Sequence, residues 1–371
     1  MRVAVYAPMK PPDHPVPSGD RRMARLILSA LERGGHRPVL ASRLRVWDDG
    51  RTAGRQLRLR AAAWRIADQL VQRWQGAADR PQAWVTYHNY HKAPDWIGPR
   101  VAEALGLPYV IIEASHAEKQ RSGPWALGVE GAEAAIRRAD RLLALTGEDA
   151  EGLEALAPGR VERLAPFLDT APFAAAAAER AAWRLHWWGA EGGPPRLLAV
   201  AMMRAGDKEA SYALLAEALA QVKDRPWRLA VAGDGPARDP VLVRLPPGRI
   251  DWLGTLAPDE LPGLYAASDL FVWPAVNEAF GMVLMEAQAA GLPVVAGAER
   301  GVPQVVDNGH SGVLVPPRDT AAFAAAVAGL LGDPPRRQAL AAQALASAPQ
   351  RLGLDHAAAR LSGVLEALCP A

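Results

Sequence analysis

The residues from Asn277 to Pro293, N-E-A-F-G-M-V-L-M-E-A-Q-A-A-G-L-P, constrain this chain more than any others. An apolar run, Leu270-Phe-Val-Trp-Pro274, leads in and reads as a buried strand. A polar turn follows, then Gly281 and a helix-forming run to Ala290. Gly291 fits the position just past a helix end, and Pro293 forbids continuation. The order is therefore strand, loop, helix, strand. Glu278 falls in the loop and Glu286 two turns along the helix. At about 100° per residue, the eight steps between them leave roughly 80° of separation. Both glutamates would then face one crevice at the carboxyl end of a strand, where open α/β sheets bind ligands. The amides of Phe280, Gly281 and Met282, with Val283 behind them, would stand at a helix N-terminus, a ready site for phosphate.

The same stretch, E-A-F-G-M-V-L-M-E-A-Q-A-A-G-L-P-V-V-A, resembles the E-x7-E segment of the family 4 glycosyltransferases, retaining enzymes of the GT-B fold. Two glutamates at this spacing occur by chance in most chains; the whole segment with its Gly and Pro positions carries the signal. The competing reading is a surface helix with two solvated acids.

At 371 residues the chain can hold two domains, each with its own core. No run of about 18 apolar residues lacks charges, so a spanning helix is not expected. The N-terminus reads as a first strand rather than a signal peptide. The single Cys369 cannot form an internal disulfide and fits a cytoplasmic chain. The net charge of +2 is unevenly placed: residues 1–100 hold 18 Lys and Arg against 8 Asp and Glu, leaving 24 against 32 for the rest. That asymmetry points to an anionic partner for the first part. No nucleic-acid reader motif accompanies it, so nucleic acid is not expected and an anionic membrane surface, touched peripherally, fits better. Arg51 to Trp74 reads as a long helix with arginines among Leu57, Leu59, Trp64, Ile66 and Leu70. Such a helix can lie in a membrane interface or be a solvated outer helix with one core stripe.

Taken in order, Arg2 to Pro8 reads as a strand, and a Pro-rich loop ending P-V-P-S-G-D leads to a helix from about Asp20 to Arg33. Gly19 resembles the family's glycine loop, although one Gly stands where relatives often have two. A plain helix start capped by Ser18 or Asp20 is the alternative. Arg37–Ser42 and Ala83–Tyr87 are further strands, the second ending T-Y-H-N-Y-H-K. His88, Tyr90, His91 and Lys92 would meet an acceptor there or form a polar loop. Tyr109 to Ser115 is a strand with His116 at its end. The family has a His near this place, beside the donor sugar, and a neutral imidazole can hydrogen-bond a sugar hydroxyl. A139-D-R-L-L-A-L-T146 resembles the last strand of the first domain, and R163-L-A-P-F-L-D-T-A-P-F173 the connector. Ala174–Ala178 and the W-W-G-A-E-G-G-P-P run to Pro195 read as the linker.

Arg196 to Met203 opens a second strand–helix series. Relatives place an Arg and a Lys about five apart here to hold the donor diphosphate; Arg204 and Lys208 are four apart, and Glu209 replaces the usual following Gly. Two cations suit a leaving diphosphate that gains charge as the glycosidic bond breaks. A surface ion pair with Asp207 or Glu209 is the bland alternative. L-A-V-A-G-D-G-P brings Gly235 to the same sheet edge, and Leu253-Gly254 resembles the wall for the donor base. No G-x-G-x-x-G follows a strand, no G-x-x-x-x-G-K-[ST] occurs, and no Asp-x-Asp metal pair is present.

The resemblance implies an α/β chain of GT-B type, with two doubly wound Rossmann-like domains facing across a cleft. Residues 1–175 would form the acceptor-side domain and 190–350 the nucleotide-sugar-binding domain, with a helix over 351–371 crossing back to the first. It implies transfer of a sugar from an NDP-sugar to a sugar, lipid-linked or small-molecule acceptor, with no cofactor and no metal. Glu286 would accept from the ribose, Glu278 would bind the transferred sugar with His116 nearby, and Arg204 and Lys208 would neutralise the diphosphate. A GT-B-type nucleotide-sugar epimerase and a non-catalytic nucleotide-sugar-binding protein are the other readings.

Overall fold

The computed structural model describes residues 1–16, 18–52, 54–189 and 192–370. It divides into two compact units, residues 1–165 with 354–371, and 166–353.

The first unit is built on strands β1 (Arg2–Tyr6), β2 (Arg37–Ser42), β3 (Ala83–Asn89), β4 (Tyr109–Ala114), β5 (Arg141–Ala144) and β6 (Val161–Arg163). They run in the order β2-β1-β3-β4-β5-β6, every pairing parallel. A parallel pair needs a crossover, and helices α1 (Gly19–Arg33), α2 (Arg55–Trp74), α3 (Gly98–Leu105), α4 (Ala126–Arg138) and α5 (Gly147–Glu154) supply them. Both sheet faces are covered, so the strands read as nearly continuous apolar runs. Trp74 and Trp84 meet edge to face at 6.4 Å in this core. Asp95 is buried beside them, and its carboxylate accepts from Thr86 and Tyr109 hydroxyls and from the Ile97 and Gly98 amides at the start of α3. Burial raises its pKa against those bonds. The chain does not leave this unit after β5: residues 161–163 add β6 at the sheet edge, a strand too short and polar to stand out in the sequence.

The second unit begins with α6 (Ala171–Ala178) and α7 (Arg180–Trp188). Strands β7 (Arg196–Val200), β8 (Arg228–Ala232), β9 (Ile250–Gly254), β10 (Leu270–Trp273), β11 (Val294–Gly297) and β12 (Gly312–Val315) form a second parallel sheet in the order β12-β11-β10-β7-β8-β9. Its helices are α8 (Asp207–Ala220), α9 (Arg238–Arg244), α10 (Leu261–Ala267), α11 (Met282–Ala289), α12 (Val302–Val305), α13 (Thr320–Gly332) and α14 (Pro334–Leu352). The last helix, α15 (Leu354–Leu368), belongs to the first unit and packs on α1, where Arg33 pairs with Asp355 and His36 Nε2 lies 3.0 Å from Ser362 Oγ.

Two sequence expectations change. The first unit ends at Ala165 rather than near 175, because Leu168 bonds back to Leu352 and Phe173 packs edge to face on Tyr265 at 5.8 Å. The proposed linker is largely helical. Its alanines are strong helix formers, and α7 docks through Arg180, Arg184 and Trp188, which donate to carbonyls of residues 266–268. Of that stretch, residues 190 and 191 lie outside the described residues, as do 17 of the Pro-rich loop and 53 at the start of the expected long helix.

Candidate active site

In the second sheet β7 and β10 are neighbours, and the chain moves outward from them in opposite directions. Such a switch point leaves a crevice at the strands' carboxyl ends. From β7 the chain runs through Arg204 to α8; from β10 it runs through residues 274–281 to α11. The first two turns of α8 grip the second of these loops. Ser211 Oγ accepts from the Val276 amide at 3.0 Å, and Asn277 Nδ2 donates to Asp207 at 3.0 Å. The loop is bent enough to put Ala275 and Asn277 at positive φ, 61° and 51°. Non-glycine residues rarely sit there, and such strain concentrates at functional sites.

This arrangement joins Lys208 to Glu278: the ammonium pairs with the carboxylate and lies 5.5 Å from the face of Trp273. The alternative of a surface pair with Asp207 or Glu209 does not apply to Lys208, since Asp207 holds Asn277 and Glu209 faces Arg244 at 3.4 Å. Arg204 is exposed on the same loop. Gly281 caps α11 at φ 77°, and the amides after it begin the helix. Phe280 is 8% exposed, beneath Gly301.

Glu286 departs from the expected geometry. The helix starts only at Met282, so helical spacing does not relate it to Glu278. Its side chain is 1% exposed and accepts from the Tyr265 hydroxyl at 2.7 Å. Tyr265 is itself held by Phe173 and, stacked at 5.7 Å, by Phe271. The two glutamates thus have different partners, Glu278 half-buried in the loop and Glu286 inside.

Gly235 and Leu253 lie where the sheet edge continues. Gly235 has φ 152°, and a Cβ there would collide with the Met203 carbonyl. Bonds from Met203 to Asp234, Ala237 to Met203 and Gly233 to Gly254 knit the ends of β7, β8 and β9. Leu253 is half-buried in β9.

In the first unit the corresponding switch point is β1 beside β3. Gly19 opens α1 with open space around it, and Ser18 Oγ accepts from the Arg21 amide, capping the helix. His88, Tyr90, His91 and Lys92 cluster as expected: the His88 and Tyr90 rings lie 4.7 Å apart and the Tyr90 and His91 rings 5.3 Å, and the cluster continues onto Trp125. Within it the Tyr90 hydroxyl also reaches Met9, and His91 and Lys92 pack on Trp125. His88 turns to Asp20 at 3.1 Å, a contact the sequence reading did not contain. Burial pulls the imidazole pKa down, but the Glu113 and Asp20 carboxylates outweigh it and hold it up at about 9. Burial, opposed by His88, raises Glu113. His88 and Glu113 sit on neighbouring strands, both at positive φ. His116 follows β4, and its Nε2 lies 3.1 Å from Glu133 of α4. Among the described residues no group of three or more His, Cys, Asp or Glu is placed to hold a metal ion.

A family profile described as "Glycosyl transferases group 1" matches residues 194–333, the strands and helices that build the β7–β10 crevice. A D-inositol 3-phosphate glycosyltransferase of Salinispora tropica is 32% identical over 68% of this chain and 58% of its own length. One of Thermobispora bispora is 34% identical over 76% of this chain and 71% of its own. The chain spans about three-fifths of the length of several curated relatives it matches. The Anabaena HepE crystal structure, solved with UDP and glucose, superposes over 98% of this chain and 99% of its own at a TM-score of 0.71, with 16% identity, and so shares the fold. With a relative above 30% identity matched over most of both lengths, and the same two-sheet architecture throughout, the chain belongs to the family 4, group 1 glycosyltransferases of GT-B fold.

Proposed function

We propose that this chain transfers a sugar from a nucleoside-diphosphate sugar to a hydroxyl with retention at the anomeric carbon, without a metal. The observation that carries the reading is the meeting of Lys208 and Glu278 at the β7–β10 switch point, beside the N-terminus of α11. A diphosphate would take Lys208 and Arg204 as counter-charges and the α11 amides as donors. Glu278, released from part of its pairing with Lys208, would accept from hydroxyls of the transferred sugar, and His116 would hydrogen-bond it. Glu286 would take the ribose, oriented by Tyr265. In the reaction the anomeric carbon–oxygen bond to the diphosphate breaks and the bond to the acceptor oxygen forms on the same face. The acceptor's proton passes to the departing diphosphate, so no protein nucleophile is required. The relatives named for D-inositol 3-phosphate make a phosphorylated polyol the first acceptor to try.

The test is a thermal-shift panel of UDP-, GDP- and ADP-sugars, followed by transfer assays with excess EDTA and NMR of the product anomer. A saturating donor at 100 times its Kd stabilises by about 2.7 kcal/mol. No stabilising donor, an inverted product or a metal requirement would each refute the corresponding part. An epimer formed without acceptor would favour an isomerase instead.

We further propose peripheral contact with anionic membrane through α2. Its outward face shows Leu57 and Trp64, 55% and 39% exposed, among exposed arginines 58, 65 and 73. Among the described residues no helix is long and apolar enough to cross a membrane.

A further inference from the structure

His116 stands two residues past the end of β4, and its ring is fixed by a helix that arrives later in the chain. Glu133 lies on the inward face of α4, with its side chain 6% exposed. A carboxylate so deep needs partners, because an uncompensated buried charge costs several kcal/mol. It has three. Oε1 faces His116 Nε2 at 3.1 Å and Arg121 at 2.7 Å; Oε2 accepts from Arg137, one turn on, at 3.0 Å.

The chemistry of that trio fixes more than position. An ionised carboxylate only accepts hydrogen bonds, so the imidazole nitrogen facing it must carry a hydrogen. Neutral histidine holds one hydrogen on one nitrogen. With Nε2 protonated toward Glu133, Nδ1 is left with its lone pair.

We propose that Glu133 is the positioning residue of His116, holding it as the neutral Nε2–H tautomer so that Nδ1 meets substrate as a hydrogen-bond acceptor. The ring then takes a hydrogen bond from a hydroxyl rather than giving one. Arg121 and Arg137 act through Glu133, holding its carboxylate in place against the ring. The kinetic half of this inference rests on His116 acting at the transferred sugar, as proposed above; the tautomer does not.

The experiment separates the two. Long-range 1H–15N spectra of the full chain at neutral pH, assigned with His116→Gln, should show His116 with Nε2 protonated and Nδ1 bare. Glu133→Leu should mix the tautomers and lower kcat by about tenfold to a hundredfold, the range seen when the group orienting a metal-bound imidazole is removed. The donor KM should change little. Glu133→Gln keeps an acceptor oxygen and should retain the tautomer and most of the rate, and it guards against a Leu variant that fails to fold. A wild-type spectrum with Nδ1 protonated, or a folded Leu variant whose spectrum is unchanged, overturns the proposal. Loss of rate in the Gln variant equal to that in the Leu variant, with the tautomer kept, overturns its kinetic half. If the tautomer is as stated but His116→Gln keeps full activity, the assignment of Glu133 stands and the reading of His116 falls.

Discussion

The Lys208 ammonium lies between the Glu278 carboxylate and the face of Trp273. In the protein alone it balances one acid; with a donor bound it would share its charge with a diphosphate whose charge grows as the bond breaks. Only interactions that strengthen toward the transition state raise turnover. Lys208→Ala and Arg204→Ala should therefore each lower kcat by about 10²–10³-fold, by analogy with loss of one oxyanion donor. A mere surface pair would cost at most about 1 kcal/mol of stability and no rate. Steady-state kinetics with parallel melting curves distinguish these; near-normal turnover in both variants removes the pair from the site. Glu286→Gln should keep the fold and weaken the donor about tenfold to a hundredfold, the worth of one charge-assisted hydrogen bond. Unchanged affinity by titration would take the ribose away from Glu286. His88 gives a pH signature. Its folded pKa of about 9 lies above the ordinary 6.5, so the stability it adds is complete below pH 6.5 and is lost as pH rises through about 9. The groups facing it are Asp20, Glu113 and Asp149, with Lys10 near Asp20. Urea unfolding between pH 6.5 and 9.5 should lose up to about 3 kcal/mol in the wild type, and clearly less in His88→Gln. Parallel pH curves for the two would show that the imidazole is not held charged.

The elements around Glu278 were legible because their punctuation is local. The apolar run 270–273, Gly281 at positive φ and Gly291 past the helix end each act within a few residues, and β10, α11 and β11 follow them. Partners across the fold were not legible. Nothing near Glu286 announces Tyr265, which comes 21 residues earlier and is steadied by Phe173 from α6. Nothing near His116 announces Glu133. The Ala174–Ala178 run looked like a composition break, yet alanine is the best helix former, and tertiary docking by Arg180 and Arg184 on Asp269 decided the outcome. The edge formed by β7, β8 and β9 gives a prediction of its own. Gly235→Ala would place a Cβ against the Met203 carbonyl at φ 152°. Strained backbone of this kind costs about 1–3 kcal/mol, so the melting temperature should fall by several degrees. An unchanged melting curve would mean that the edge yields without cost.

For the whole chain, the parallel order of both sheets follows from alternating strands and helices, which permit little else. The charge distribution is a property of the same scale, and the fold gives it a place. Residues 1–100 carry a balance of +10, from 18 cations and 8 acids, against −8 for the remainder, from 24 and 32. The α2 helix buries Ala63, Ala67, Leu70 and Trp74 and leaves Leu57 and Trp64 outside, with the Arg60 and Arg100 guanidiniums over the Trp64 ring at 4.8 and 5.1 Å. Stacked arginines beside an exposed indole suit an interface where one end of the ring is dry and the other wet. Each basic residue near an anionic surface adds about 1 kcal/mol, so several suffice for reversible binding that salt weakens. Flotation with vesicles containing phosphatidylserine should therefore recover the protein at low salt and lose it at about 0.5 M, well below a 10 Å screening length. Vesicles of phosphatidylcholine alone should not recover it. Arg58→Gln with Arg65→Gln should reduce recovery, and Trp64→Gln should reduce it at equal charge, separating the indole's part from that of the field. Equal recovery on both vesicle types, or no effect of any of these changes, would leave α2 as a solvated outer helix whose stripe serves only the core.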